Sequence, residues 1–289
     1  MISKAPRIGF QGEIGAYSEE AVAGYFGSAV DPRPFPTFGA VTAAVEGGQV
    51  AAGVLPTENS LAGSVGEALD ALGESQLVVV GELLLPVHHR LIARPGATLV
   101  GIRRVTSHRQ ALAQCDAYLA SHEWQLIPAE NTAGAARALS QTDDLTLAVI
   151  ASARAAERYG LIVLADDLAP ADNLTRFAVV VLPSSVAPRA EGPLAPPADA
   201  PRSTLVIFET LHRPGALHAA LGAFADAGVN LTRIESRPIR RASWEYRFLV
   251  QLEGDATADP ARAALTDLAR RAQGVRLLGS FPSADAARR

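Results

Sequence analysis

Asn173-Leu174-Thr175-Arg176-Phe177 runs straight into the apolar segment 178–182, which reads as a buried strand. A turn-forming segment, Ala169-Pro170-Ala171-Asp172, precedes it, and residues 161–168 before that read as another strand. An amide, a hydroxyl and a guanidinium thus stand at the mouth of a strand, where open α/β sheets place their ligands. The same residues would also suit an ordinary strand entrance facing solvent. The surrounding chain decides between the two.

Toward the N-terminus, strand-like runs at 7–10, 51–55, 76–85, 125–128 and 147–150 alternate with helical patterns at 38–46, 132–139 and 152–159. Residues 105–112 pass from a strand end into a helix that continues through Cys115 and Leu119, with Ser107 as its expected N-cap. Such alternation implies parallel sheets flanked by helices. Residues 1–182 suit two α/β lobes with a cleft between them, and the last strand is expected to cross back to the first lobe. Thr175 would then lie near the hinge.

Three loops concentrate polar groups. Gly9, Gly12 and Gly15 have a G-x-x-G-x-x-G spacing, unlike a dinucleotide fingerprint, and no Walker lysine follows. That loop, with Tyr17 and Ser18 opening a helix, either binds a small anion or is simply a tight strand-to-helix turn. Glu58-Asn59-Ser60 ends a strand, where the amide or the hydroxyl could also serve as a helix cap. Ser107-His108 forms the third. His88 and His89 are adjacent, so on a strand they face opposite ways, and no metal site is expected.

The 289 residues carry a formal net charge of −4, which argues against bulk attraction to nucleic acid. Lys4 is the only lysine, so a bound carboxylate would be expected to meet arginine. Cys115 stands alone, which excludes an intrachain disulfide and fits a small buried hydrophobe. No apolar leader or membrane-length run is present, and a cytoplasmic protein is expected.

Residues 183–202 hold prolines at 183, 188, 193, 196, 197 and 201 and read as a linker. Beyond it, residues 203–283 follow a βαββαβ order, which is ferredoxin-like. Pro214-Gly215 opens its first helix, and a further strand is expected from Trp244.

Taken together, these stretches resemble the prephenate dehydratase family with a C-terminal ACT domain. The resemblance rests on the Gly12–Ala21 loop, Pro56-Thr57-Glu58-Asn59-Ser60-Leu61-Ala62-Gly63-Ser64-Val65, Ser107-His108 with Gln110-Ala111-Leu112-Ala113-Gln114-Cys115, and Asn173-Leu174-Thr175-Arg176-Phe177. In the last domain Gly215-Ala216-Leu217 and Ile234-Glu235-Ser236-Arg237-Pro238 match two effector motifs. Arg109 stands where proline is frequent in the family, and Asn131-Thr132-Ala133 where a Ser/Asp-Thr-Ala pattern is usual.

The resemblance implies a two-lobed, periplasmic-binding-protein-like catalytic domain and a monofunctional enzyme. Its reaction would be conversion of prephenate to phenylpyruvate, with no metal, flavin or nicotinamide. Thr175 would be the essential group and Arg176 the grip on a substrate carboxylate. Glu58, Asn59, Ser60, Ser107 and His108 would assist, with Gly12, Tyr17, Ser18, Asn173 and Phe177 contacting substrate. L-phenylalanine would bind between two ACT domains through Gly215, Ala216, Leu217, Asn230, Glu235, Ser236 and Arg237, in a homodimer or a dimer of dimers. Arogenate dehydratase and a non-catalytic amino-acid sensor are the alternatives.

Overall fold

A computed structural model describes residues 5–185, 187–239 and 245–285. Trp244, expected to begin a strand, lies outside the described residues.

The chain opens with β1 (Arg7–Gln11), α1 (Tyr17–Phe26), β2 (Asp31–Phe35), α2 (Phe38–Glu46), β3 (Ala52–Asn59), β4 (Gly63–Ser64), α3 (Gly66–Glu74) and β5 (Val78–Pro86). A second lobe follows: β6 (Arg90–Ala93), β7 (Arg104–His108), α4 (Arg109–Gln114), α5 (Asp116–Leu119), β8 (Gln125–Ala129), α6 (Thr132–Ser140), β9 (Leu147–Ala151), α7 (Ala153–Tyr159) and β10 (Ile162–Ala165). Then β11 (Leu174–Val181) returns to the first sheet and inserts between β3 and β5, giving the order β2-β1-β3-β11-β5. The expected crossover is present.

The expectation of parallel sheets needs correction, because both sheets are mixed. β11 runs antiparallel to both of its neighbours, and β6 runs antiparallel to β9 and β10. A returning strand enters from the opposite end of the sheet, so its first residues arrive at the cleft. β2, with Pro32 and Pro34, was not anticipated; it pairs with β1 at the edge of the sheet, where missing donors are tolerated. The helix expected to run through Leu119 breaks at Cys115 into α4 and α5.

The last unit comprises β12 (Arg202–Glu209), α8 (Ala216–Asp226), β13 (Leu231–Pro238), β14 (Tyr246–Glu253), α9 (Ala261–Arg271) and β15 (Gln273–Pro282). Its antiparallel sheet has the order β13-β14-β12-β15. β12 alternates between two buried environments. Val206 and Phe208 pack under α8 and α9 with Phe224 and Leu268. Leu205 and Ile207, with Leu249, Leu278 and Phe281, pack instead on Leu69, Leu72, Val79 and Val180 of the first lobe. The helix-free face of this sheet therefore covers the back of the first lobe.

The proline-rich segment is docked along the end of α1. Gly192 N–H donates to Tyr25 O and Leu194 N–H to Gly24 O, both at 2.8 Å, and Leu194 packs against the α1 core. Among the described residues no helix is long and apolar enough to cross a membrane.

Candidate active site

A cleft of about 430 Å³ lies between the two lobes, within the range for small-molecule sites. Its floor is β11, where side chains alternate between faces. Thr175 and Phe177 face the cleft, with Gly12, Tyr17 and Ser18 from the first loop, Asn59 from β3, and His108 and Gln110 from the start of α4. Asn131 and Thr132, opening α6, complete the wall, so the N-termini of α1, α4 and α6 converge on the cavity.

Gly12 has φ of +114° and Gly15 +90°, conformations that L side chains resist. A Cβ on Gly15 would also come within 3.0 Å of Ala155, so glycine there lets the loop meet α7. The second lobe grips this loop directly: Ser152 Oγ donates to Gly15 O at 2.9 Å and Tyr159 O–H to Ile14 O at 2.7 Å.

Thr175 Oγ1 accepts from Asn59 Nδ2 at 3.1 Å. The same nitrogen lies 2.8 Å from Asn173 Oδ1 and 3.1 Å from Leu174 O. Asn59 Oδ1 accepts from the backbone N–H groups of Leu61 and Ala62 at 3.1 and 2.9 Å, and these can only donate. They fix which way the Asn59 amide points.

That polarity propagates. Gln114 Nε2 must donate to Asn59 Oδ1 at 3.1 Å, so Gln114 Oε1 faces Asn173 Nδ2 at 3.1 Å and His89 Nε2 at 2.8 Å. His89 therefore carries its proton on Nε2, an assignment that follows from the network. Its Nδ1 lies 2.9 Å from the Tyr17 hydroxyl, which is also 2.8 Å from His88 O. Burial lowers the His89 pKa, against a smaller opposing effect of Gln114, and keeps the ring neutral. Burial, with Glu20 nearby, raises the Tyr17 pKa well above its ordinary value, so the phenol keeps its proton.

Several expected residues take other places. Arg176 points from the back of β11, away from the cleft. Its Nη1 donates to Glu82 at 2.9 Å, its Nη2 to both Asp285 oxygens at 2.8 and 3.1 Å, and Glu58 lies 3.6 Å from its Nε. This corrects the reading of Arg176 as the carboxylate grip, and of Glu58 as a cleft group: adjacent strand residues face opposite ways. Burial opposes the Arg176 charge, but Glu82 and Asp285 outweigh it and hold its pKa above the ordinary value.

Ser107 is fully buried, and its Oγ donates to Ile150 O at 2.6 Å, tying β7 to β9. The cap of α4 is His108, whose Nδ1 accepts from Gln110 N–H at 3.3 Å. Ser60 ties the end of β3 to the segment entering β11, donating to Asp172 O at 2.7 Å and accepting from Leu174 N–H at 2.9 Å. Asn173 is buried behind Thr175 in the amide network. Gln114 and His89 were not anticipated as site residues. Gln110 and Gln114 are four apart on one helix, and that shared face was the available signal.

A family model for prephenate dehydratase matches residues 8–184, and one for the ACT domain matches 204–270. The chain belongs to the prephenate dehydratase family. It is 37% identical over 286 residues to arogenate dehydratase/prephenate dehydratase 2 of Arabidopsis thaliana, covering 96% of this chain and 72% of that one. A prephenate dehydratase from Arthrobacter aurescens, solved with L-Phe, is 33% identical with a TM-score of 0.86, covering 97% of this chain and 91% of that one. A structure described as a novel type of quorum-quenching acylase, GqqA, is 34% identical with a TM-score of 0.85, covering 96% and 98%.

The residues expected to bind an effector take separate places in the ACT unit. Gly215, with φ of +79°, caps α8, and Ala216 and Leu217 begin it. Asn230 precedes β13, past the far end of that helix, which is about 16 Å long for its 11 residues. Along β13, Ser236 is exposed while Glu235 and Arg237 turn toward the first lobe. Ser64 Oγ donates to Glu235, and Arg237 forms a two-point pair with Asp70 of α3 at 2.8 and 2.9 Å.

Proposed function

We propose that Thr175 helps the ring hydroxyl leave as prephenate loses water and carbon dioxide to give phenylpyruvate. The enzyme is a prephenate dehydratase, a carbon–oxygen lyase of L-phenylalanine formation. The bond from the ring to the departing carboxylate breaks, and its electron pair moves through the diene to expel the hydroxyl on the opposite carbon. That oxygen takes up a proton and leaves as water. Atoms and charge balance with no metal, flavin or nicotinamide.

The observation that carries this reading is the bond from Asn59 Nδ2 to Thr175 Oγ1. It occupies a lone pair of the threonine oxygen and leaves the O–H free to donate into the cleft. A free threonine hydroxyl is a very weak acid, so its part is that of an aimed donor and relay rather than a conventional general acid. Phe177 and Tyr17 wall the ring. Gly12, Ser18 and the first-turn amides of α1 and α6 hold the carboxylates, since no arginine lines the cleft among the described residues.

Arogenate is the second substrate considered, because Glu67 and Glu130 line the cleft and an ammonium group would be matched by a carboxylate. Acyl transfer is less well supported. A threonine nucleophile needs an adjacent base, and the Thr175 oxygen instead receives an amide N–H. L-phenylalanine is the regulator acting through the ACT domain. Gly215 and Asn230 lie at opposite ends of α8, so one effector touching both needs two copies, as in a homodimer or a dimer of dimers. The cytoplasm is the proposed compartment.

Purified protein treated with a chelator should convert prephenate to phenylpyruvate, with arogenate assayed in parallel. Turnover of neither compound would sink the enzyme reading.

A further inference from the structure

We infer that Arg233, on β13 of the ACT sheet, and Asp285, just past its last strand, are positioning residues for the dehydration: from behind the sheet they hold the two strands that carry Asn59 and Thr175. The inference rests on the prephenate dehydratase reading and deepens it.

The pairing of β3 with β11 places Arg176 opposite Glu58 but Phe177 opposite Pro56, so Thr57 is an extra residue, a bulge. Bulges re-aim the side chains beside them and recur next to active sites. Arg233 Nη2, reaching from β13, donates to the carbonyl of Thr57 at 2.7 Å. Two residues further along β3 stands Asn59, whose amide orients Thr175. The second contact acts on the other strand: Asp285 takes both bonds from Arg176 Nη2, and Arg176 directly follows Thr175. Thr57 Oγ1 joins the two strands by donating to Arg176 O at 3.3 Å.

These contacts belong to one charged cluster spanning both units, buried at Glu82 and Arg233 and half-open at Glu58 and Asp285. Glu82, almost fully buried, accepts from Arg176 at 2.9 Å, from Ala284 N–H at 3.1 Å and from Gln251 at 3.3 Å. Arg233 lies between Glu58 at 4.0 Å and Glu235 at 3.7 Å. Its Nε is buried with no hydrogen-bond partner among the described residues. A guanidinium held with one donor unsatisfied is a poor device for stability alone, and fixing one geometry is the better account of its placement. Asn59 and Thr175 thus sit on two strands held from behind by Arg233 of the ACT sheet and by Asp285 just past it, with Glu82 of the first lobe between.

The test compares Arg233→Met, Arg233→Lys and Asp285→Asn with Arg276→Gln, in the full-length protein. Arg276 bridges the same units by donating to Gly73 O and Ser75 O, and among the described residues it makes no hydrogen bond to β3 or β11. Wild-type turnover of prephenate first establishes the reaction itself. Arg233→Met and Asp285→Asn should each lower kcat about tenfold with KM little changed, because a small displacement of an aimed donor acts on the transition state. Arg233→Lys, which keeps the charge, should recover part of the loss, and Arg276→Gln should lower thermal stability while leaving kcat intact. The inference is overturned if the two losses in kcat merely track lost stability, if Arg276→Gln loses kcat equally, or if kcat does not move while wild type is active.

Discussion

On the cleft face of β11, Thr175 belongs to a chain of neutral donors and acceptors, whereas on the back face Arg176 belongs to a cluster of full charges. The two side chains are neighbours in sequence, yet they answer different needs. The donor role proposed for Thr175 needs a defined direction, and amides oriented by backbone N–H groups supply one without adding charge. The back face must join two folded units, and there half-buried ion pairs help to fix register at some expense of desolvation.

Substitutions can break that contrast. The largest effect is expected at Thr175: Thr175→Ala should lower kcat by about 10²–10³ with KM nearly constant. A change confined to KM would remove the hydroxyl from the transition state. Next, Arg176→Met should destabilise the fold by about 3–5 kcal/mol in urea unfolding, since it strands buried Glu82. If instead the KM for prephenate rose with stability unchanged, Arg176 would be a substrate grip after all.

A smaller effect is expected at Glu20. Burial raises its carboxyl pKa, overcoming the opposing influence of Ser152 and Arg154. The native state therefore binds this proton more tightly than the unfolded chain, and the associated stability is present at low pH and lost as pH rises through the raised pKa. Glu20→Gln should raise the melting temperature more at pH 8 than at pH 4; equal shifts at both would contradict the sign. The smallest effect concerns Cys115, whose thiol burial pushes up to about 12. The native protein at pH 8 should resist a thiol reagent and react only after unfolding, and rapid native labelling would show the α4–α5 break to be open.

Much of this architecture was legible from pattern alone. Alternating strands and helices, the apolar strand at 178–182 and the βαββαβ ending follow from apolar periodicity, whereas the strand's return to the first lobe follows from the two-lobed reading. The loops that line the cleft were found because polar residues cluster where strands end. The direction of Arg176 was legible as well: a period of two puts it on the face opposite Thr175, and the attraction of a guanidinium for a carboxylate substrate obscured that simpler rule. Glu82 and Asp285, its actual partners, lie 94 and 109 residues away, a distance that no local pattern spans. β2 was hidden by its prolines, and the mixed direction of the sheets depends on chain return rather than on composition.

The proline-rich strap along α1 has a consequence for how the two units communicate. Because Gly192 and Leu194 pin it to Tyr25 and Gly24, the chain reaching β12 starts from a fixed point on its own first lobe. Seating the ACT sheet on that lobe is then a unimolecular event at a high effective concentration, indifferent to dilution. Contact between two chains, by contrast, obeys mass action, so if phenylalanine binds between two copies as proposed, diluting the enzyme should weaken its answer to phenylalanine before it alters the seat behind Thr175.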